Sequence, residues 1–260
     1  MKVLFIGDII GKSGRRAIKA LVPTLINRHN VDVVIANGEN AAGGFGITPT
    51  VSDELFDLGV NLITTGNHVW DKKDIFPYLD SGKPILRPGN YPPGNPGRGM
   101  RTFETFSGEK LSVINVSGRV FMDSIDCPFR YVESELDPAK KESSAVFIDF
   151  HAEATSEKNA LAKYFDGEVS CIVGTHTHVQ TSDEKVTPLG TGYITDAGMT
   201  GATDSIIGMQ PEGPLVRFLN GIPKKFEVAK KAVELQGVLA DIDGISGRCN
   251  SIERIKEVLK

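Results

Sequence analysis

Cys171-Ile172-Val173-Gly174-Thr175-His176-Thr177-His178 is an apolar run that ends in a pair of imidazoles. The same switch occurs four more times. Val3-Leu4-Phe5-Ile6-Gly7 leads to Asp8, Val31–Gly38 to Glu39-Asn40, Leu62–Gly66 to Asn67-His68, and Val146–Phe150 to His151. Short continuous apolar runs are the pattern of strands buried on both faces. Helical patterns separate them. Ile18, Leu21, Val22, Leu25 and Ile26 share one face of a helix expected from about 14 to 28. Thr48-Pro49 reads as an N-cap followed by proline in the first turn of a helix that closes at Gly59, and a further helix is expected from about 156 to 165. Strand–helix–strand units of this length pair in parallel through right-handed crossovers. Ligands of such sheets bind beyond the carboxyl ends of the strands. All five runs are therefore expected to deliver their polar residue to one sheet edge.

Beyond these runs, Arg87 to Gly99 is rich in proline and glycine and is expected to be a loop. Phe226 to Asp241 is expected to return as a strand and Ser251 to Lys260 to form a short C-terminal helix. No repeat or linker divides the chain, so residues 1–260 are read as a single domain with a small insertion over about 87–142. Of the 260 residues, 40% are hydrophobic and 24% charged, which excludes a mainly disordered chain. The net charge of −4 argues against a duplex-wrapping surface or an anionic-membrane coat. No apolar stretch approaches the roughly 18–20 residues of a membrane span, and the opening apolar run is too short for a signal peptide. Cys127, Cys171 and Cys249 are too widely spaced for a disulfide frame or zinc knuckle, so a cytoplasmic location is expected.

Four of the five histidines (His68, His151, His176 and His178) stand at strand ends, and only His29 lies elsewhere. Imidazole, carboxylate and amide oxygen together suit iron, manganese, zinc or nickel, and the lack of thiolates argues against a structural zinc site. Glu39 has two oxygens with which to bridge two cations. Paired cations about 3.5–4 Å apart clamp an in-line displacement at phosphorus. Two dipositive ions against Asp8, Glu39 and a hydroxide leave the site positive, as a phosphate ester requires. Gly7 to Ser13 imitates a P-loop but has three residues between its glycines where four are needed. Weaker substrate-contact candidates are Arg119, Thr200 within the Gly-rich stretch 195–201, the basic group Lys12, Arg15 and Arg16, and the 43–46 glycine stretch. Trp70 and Tyr91 are candidates for stacking on a base.

Gly7-Asp8-Ile9-Ile10-Gly11, Asn37-Gly38-Glu39-Asn40, Thr65-Gly66-Asn67-His68, Phe150-His151 and Gly174-Thr175-His176-Thr177-His178 occur in this order over residues 1 to about 210. Together they resemble the calcineurin-like metallophosphoesterases, in their bacterial YmdB-type branch. Two positions depart from the wider superfamily. Ile10 stands where a histidine is usual, and Gly38-Glu39-Asn40 replaces Gly-Asp. Both departures fit that branch, in which a glutamate bridges and the next asparagine supplies the missing ligand. The resemblance implies an α/β metallophosphoesterase sandwich, with a mixed or parallel sheet core flanked by helices and the active site at the strand C-terminal ends. It implies one metal on Asp8, Glu39, Asn40 and His178, and a second on Glu39, Asn67, His151 and His176. His68 would be the catalytic proton donor. The ions would be iron, with manganese or zinc as alternatives. The implied activity is that of a dinuclear metal phosphodiesterase. A metal-bridging hydroxide would hydrolyse small phosphodiesters such as 2′,3′- or 3′,5′-cyclic nucleotides. Two other readings stand beside it: a phosphomonoesterase or 5′-nucleotidase, and a regulatory RNA-associated protein with dispensable catalysis. A homo-oligomer is compatible with all three.

Overall fold

The computed structural model describes residues 1–105 and 108–260. The chain opens with β1 (Lys2–Ile6), β2 (Asp8–Ile9), α1 (Gly11–His29), β3 (Val33–Asn37), α2 (Pro49–Asp57) and β4 (Leu62–Thr64). A single 3₁₀ turn, Asn67–Trp70, and α3 (Ile75–Leu79) follow. Next come β5 (Met100–Glu104), β6 (Lys110–Ser117), α4 (Pro128–Glu142), β7 (Ala145–His151), α5 (Thr155–Tyr164), β8 (Cys171–Thr175), β9 (Lys185–Val186) and β10 (Gly192–Ile194). The chain then closes with β11 (Met199–Ala202), α6 (Glu212–Asn220), β12 (Val233–Ile242) and β13 (Cys249–Val258).

Two sheets form from these strands. The first runs β2-β11-β12-β1-β3-β4 with β13 on β12, and the second runs β5-β6-β7-β8-β10-β9. Strands β1, β3 and β4 are parallel, as are β6, β7, β8 and β10. Alternation along β1 sets the layering. Val3 and Phe5 face the second sheet in a core shared with Phe147, Val173 and Leu111. Leu4 and Ile6 face α1 and α2, packing with Ile18, Val22, Leu25 and Leu55. On the far side, Val146, Ile148 and Phe150 pack under α4 and α5 with Val132 and Leu161. Phe5 and Phe147 stack across the middle at 5.6 Å between ring centroids. The architecture is thus a helix–sheet–sheet–helix sandwich.

Two expectations are corrected. The five ligand-bearing strands do not share one sheet: β1, β3 and β4 belong to the first, β7 and β8 to the second. An apolar run buried on both faces looks alike whether its second cover is a helix or another sheet. The C-terminus is also not a helix. Residues 249–258 form β13, antiparallel to β12. Ile252 and Ile255, three apart, would share a helical face. In the strand they point to opposite sides, Ile252 into the inter-sheet core and Ile255 into the core beneath the helices. Among the described residues no helix is long and apolar enough to cross a membrane.

Candidate metal centre

The sheets meet so that the ends of β1, β3, β4, β7 and β8 open on one seam. Asp8 is fully buried on β2. Its Oδ2 accepts the His176 amide N–H at 3.1 Å, while its Oδ1 has no hydrogen-bond partner. Glu39 and Asn40 follow β3 and are also buried. Asn40 Nδ2 donates to Glu39 Oε1 at 2.8 Å, which leaves Asn40 Oδ1 buried and unpartnered. The other Glu39 oxygen accepts the His68 amide N–H at 3.2 Å.

The second sheet supplies the imidazoles. His151 Nδ1 lies 2.9 Å from Thr175 Oγ1, whose own proton goes to Asp149 at 2.7 Å. Nδ1 is therefore the protonated nitrogen, and the Nε2 lone pair faces the seam. Three acceptors surround that Nε2: Asn67 Oδ1 at 3.0 Å, His176 Nδ1 at 3.0 Å and Glu39 Oε1 at 3.3 Å. His176 engages Glu153 through Nε2 at 3.1 Å, which turns Nδ1 inward. His178 donates Nδ1–H to the Ile207 carbonyl at 3.1 Å, and its Nε2 lies 3.9 Å from Asp8 Oδ1. Both histidines hold left-handed backbone conformations, φ 102° and 63°. Strain of this kind persists only where the surroundings enforce it. Here Asp196 binds the amide and hydroxyl of the intervening Thr177 and is itself paired with the buried Lys158 at 2.8 Å.

Donor atoms of Glu39, His151 and His176 lie within 4.8 Å of one another, as do those of Asp8, Glu39 and His178. Lone pairs crowded at this distance repel unless positive charge sits between them. The orphaned Asp8 oxygen and the three oriented imidazoles therefore fit a cation on each side of Glu39, while Asn40 turns its Nδ2 to Glu39 and, at 3.4 Å, to His178 Nε2. Gly66 is required beside it. A Cβ there would stand 2.3 Å from both Glu39 Oε2 and His151 Nε2. The charge balance of the metal-free seam agrees. Burial opposes charge on His151, but Glu39 and Asp8 outweigh it and push the imidazole up to about 9. Burial likewise raises Glu39, but His151 overrides it and holds the carboxyl at about 2. Burial and the neighbouring His151 charge push His176 down to about 3. Burial raises Asp8, and also Asp149 to about 7. The buried carboxylates of Glu39 and Asp8 thus favour positive charge at the seam.

His68 leaves the 3₁₀ turn beside this cluster. Its Nδ1 is 2.9 Å from Asp71 Oδ2, and the Phe45 ring meets it edge-on at 5.1 Å. Asp71 therefore orients it, leaving Nε2 as the nitrogen turned to other work. Glu39, Asn40, His176 and His178 of the cluster line, with His68, a cleft of about 560 Å³ that also carries Ile207, Met209, Arg217, Phe218 and Phe226. A hollow of about 630 Å³ beside Arg87 and Tyr131 lies elsewhere, its buried guanidinium already bonded to the carbonyls of Pro88 and Pro96.

The structure gathers Asp8, Glu39, Asn40, Asn67, His68, His151, His176 and His178, and leaves the weaker candidates outside, except for part of the glycine stretch. Arg119 lines a separate depression and gives its amide N–H to Glu157. Thr200 is buried, with its hydroxyl on the Gln236 carbonyl. Arg15 is held by Glu54 and the Ala41 carbonyl, and neither it nor Lys12 nor Arg16 lines the cleft. Trp70 packs edge-on against Phe76 and Tyr91. Of the glycine stretch, Gly44 reaches the cleft beside Phe45. The supporting residues Asp71, Asp149, Glu153, Lys158, Thr175 and Asp196 differ in how far sequence reveals them. Asp149 stands at i−2 from His151 on the same strand, a strand-face signal, Glu153 lies just past the strand end, and Asp71 is a near neighbour of His68. Lys158 and Asp196 carry no local sign, because 38 positions separate them.

Comparison with known proteins identifies the family of the chain. A family model described as YmdB-like protein matches residues 4–255. The 2′,3′-cyclic-nucleotide 2′-phosphodiesterase of Bacillus subtilis (strain 168) is 47% identical over 255 residues, covering 98% of this chain and 96% of that protein. A crystal structure of a hypothetical protein from Thermus thermophilus superposes with a TM-score of 0.93 at 44% identity, covering 99% of each chain. A crystal structure of a phosphatase from Mycoplasma pneumoniae gives 0.93 at 36% identity, covering 99% of this chain and 93% of that one. With a family model spanning nearly its whole length, this chain belongs to the YmdB-like family.

Proposed function

We propose that the chain is a cytoplasmic dinuclear metal phosphodiesterase acting on small cyclic nucleotides, with 2′,3′-cyclic species foremost. The carrying observation is that two groups of inward-turned donors share one residue, Glu39. In this reading Asp8, Glu39, Asn40 and His178 hold one ion, and Glu39, Asn67, His151 and His176 hold the other. Iron leads the candidates because the family resemblance implies it, with manganese and zinc behind it; imidazole and oxygen donors without thiolate suit all three. Bound there, such ions supply acidified water and positive charge for the phosphoryl oxygens.

The chain's own residues do the rest. Glu39 and Asp8 place their negative charge so that the loaded seam remains cationic and attracts an anionic diester. Thr175, Glu153 and the Ile207 carbonyl each fix one imidazole tautomer. His68, oriented by Asp71, carries the proton delivered to the departing ribose oxygen. The three cysteines are free thiols, as a reducing compartment allows.

The test is a substrate panel on metal-loaded protein: 2′,3′-cyclic AMP, 3′,5′-cyclic AMP, 5′-AMP and p-nitrophenyl phosphate. The reading expects hydrolysis of a cyclic diester in preference to both monoesters. Turnover of monoesters alone would move the chain to the phosphomonoesterase or 5′-nucleotidase class. No turnover of any phosphoester would overturn the catalytic reading.

A further inference from the structure

The cleft wall facing the ligand cluster has its own construction. It is formed by residues between Ile206 and Phe226, including those of α6. The wall is tied to the cluster, since the Ile207 carbonyl accepts His178 Nδ1–H at 3.1 Å. Ile207 itself is in the left-handed region, φ 44°, and the turn is closed by Gly208 N–H on Ser205 Oγ at 2.8 Å. This holds the Ile207 side chain out at 53% exposure. Further along, Phe218 on α6 is 80% exposed while lining the same cleft. Phe226 packs behind, with the Arg217 guanidinium 5.9 Å over its ring. Large apolar side chains left in water beside a polar, anion-attracting centre are not accounted for by folding.

We infer that this wall is the nucleobase subsite, with Phe218 and Ile207 receiving the flat face of the base while the phosphodiester faces the ligand cluster. The inference rests on the phosphodiesterase reading above and goes further, by naming the residues that select a nucleotide over any other small diester. Three observations support this occupant. The cleft volume of about 560 Å³ is that of a small-molecule site. Its two walls are polar and apolar, matching the two ends of a nucleotide. Arg217, the one Lys or Arg among the described residues lining the cleft, offers planar N–H donors at the apolar end, where a base edge presents acceptors. An aromatic face takes any base, so the subsite would tolerate different bases.

The test compares two substrates sharing a five-membered cyclic diester, 2′,3′-cyclic AMP and glycerol 1,2-cyclic phosphate, on metal-loaded wild type, Phe218→Ala and Phe218→Trp. Loss of one base stack is expected to cost roughly 5- to 150-fold. Phe218→Ala should therefore raise KM for the nucleotide by about tenfold and collapse its preference over the glycerol diester, and Phe218→Trp should restore it. Equal losses on both substrates, or none, would overturn the subsite. A change of oligomeric state in Phe218→Ala, read by analytical ultracentrifugation with the preference intact, would instead assign the wall to a second copy of the chain. Binding of 3′-AMP against glycerol 2-phosphate by calorimetry gives the same comparison without turnover. Tighter 3′-AMP binding that Phe218→Ala abolishes would uphold the subsite even if wild type hydrolysed neither diester, an outcome that would sink only the catalytic reading.

Discussion

The two sheets bring different chemistry to the seam they share. The first contributes charge and amide oxygen, through Asp8, Glu39, Asn40 and Asn67. The second contributes imidazole nitrogen, through His151, His176 and His178. The first set follows the ends of β1, β3 and β4 within three residues, Asp8 on the short β2 and the others at turns. The second is braced by a buried polar network that crosses between sheets: Asp149 of β7 accepts from Thr175 of β8 and from Asn37 and Thr64 of the first sheet. Each half-site alone is incomplete, an acidic cleft on one side and a cluster of imidazoles on the other. Closure of the sandwich creates the centre, and a cation between the layers satisfies both.

The most damaging change to this pairing of sheets is expected at Glu39, which faces both groups. Glu39→Gln keeps the shape and removes the shared charge. It should drop bound metal from two ions per chain to one or none and abolish most turnover, the largest loss of any single change named here. Elemental analysis and steady-state kinetics on the same preparation check this. His68→Ala tests the residue outside both groups. Metal content should stay at the wild-type level while turnover of an unactivated diester falls about 10³-fold. A p-nitrophenyl diester, whose leaving group needs no proton, should lose much less. Full activity on the unactivated diester would remove His68 from the role.

The bracing of the second sheet is exposed by Lys158→Met. It strands the Asp196 carboxylate that holds Thr177 between the two histidines, and a broken buried pair of this kind costs about 3–5 kcal/mol. Thermal unfolding should show it as a clear fall in Tm, and the same change at Lys256, whose side chain is exposed beside Glu234, should have little effect. A subtler change separates the two ions. Glu153→Gln loosens His176 alone, so one ion should weaken by roughly 10- to 100-fold while the other, on the Asp8 and His178 side, is unaffected. Two-site metal titration reads the split, and equal weakening of both ions would contradict the partition.

The same contrast between sheets sets what the chain reveals before it is folded. The ends of buried strands are conspicuous, because folding alone gives no reason for apolar runs to stop repeatedly at Asp8, Glu39, Asn67, His151 and His176. The division of those strands between two sheets is not legible, because burial on both faces leaves no mark of what lies on either side. Ile252 and Ile255 fit a helical spacing equally well, and only the covering of both faces of β13 decides for a strand. Thr200 and Arg119 look available for phosphate because their stretches are polar, but a hydrogen-bond partner such as Gln236 or Glu157 lies far away in sequence. The Lys158–Asp196 pair is hidden for the same reason. The apolar wall is invisible too, since exposed Phe218 reads as an ordinary amphipathic helix position until the cleft is seen.

Crystals of the metal-loaded protein measured across the metal absorption edges would show whether the seam holds a pair of cations. Two anomalous peaks are expected, about 3.5–4 Å apart with Glu39 between them. One should be ligated from Asp8 and His178, the other from His151 and His176. A single peak, or two that do not share Glu39, would overturn the dinuclear reading.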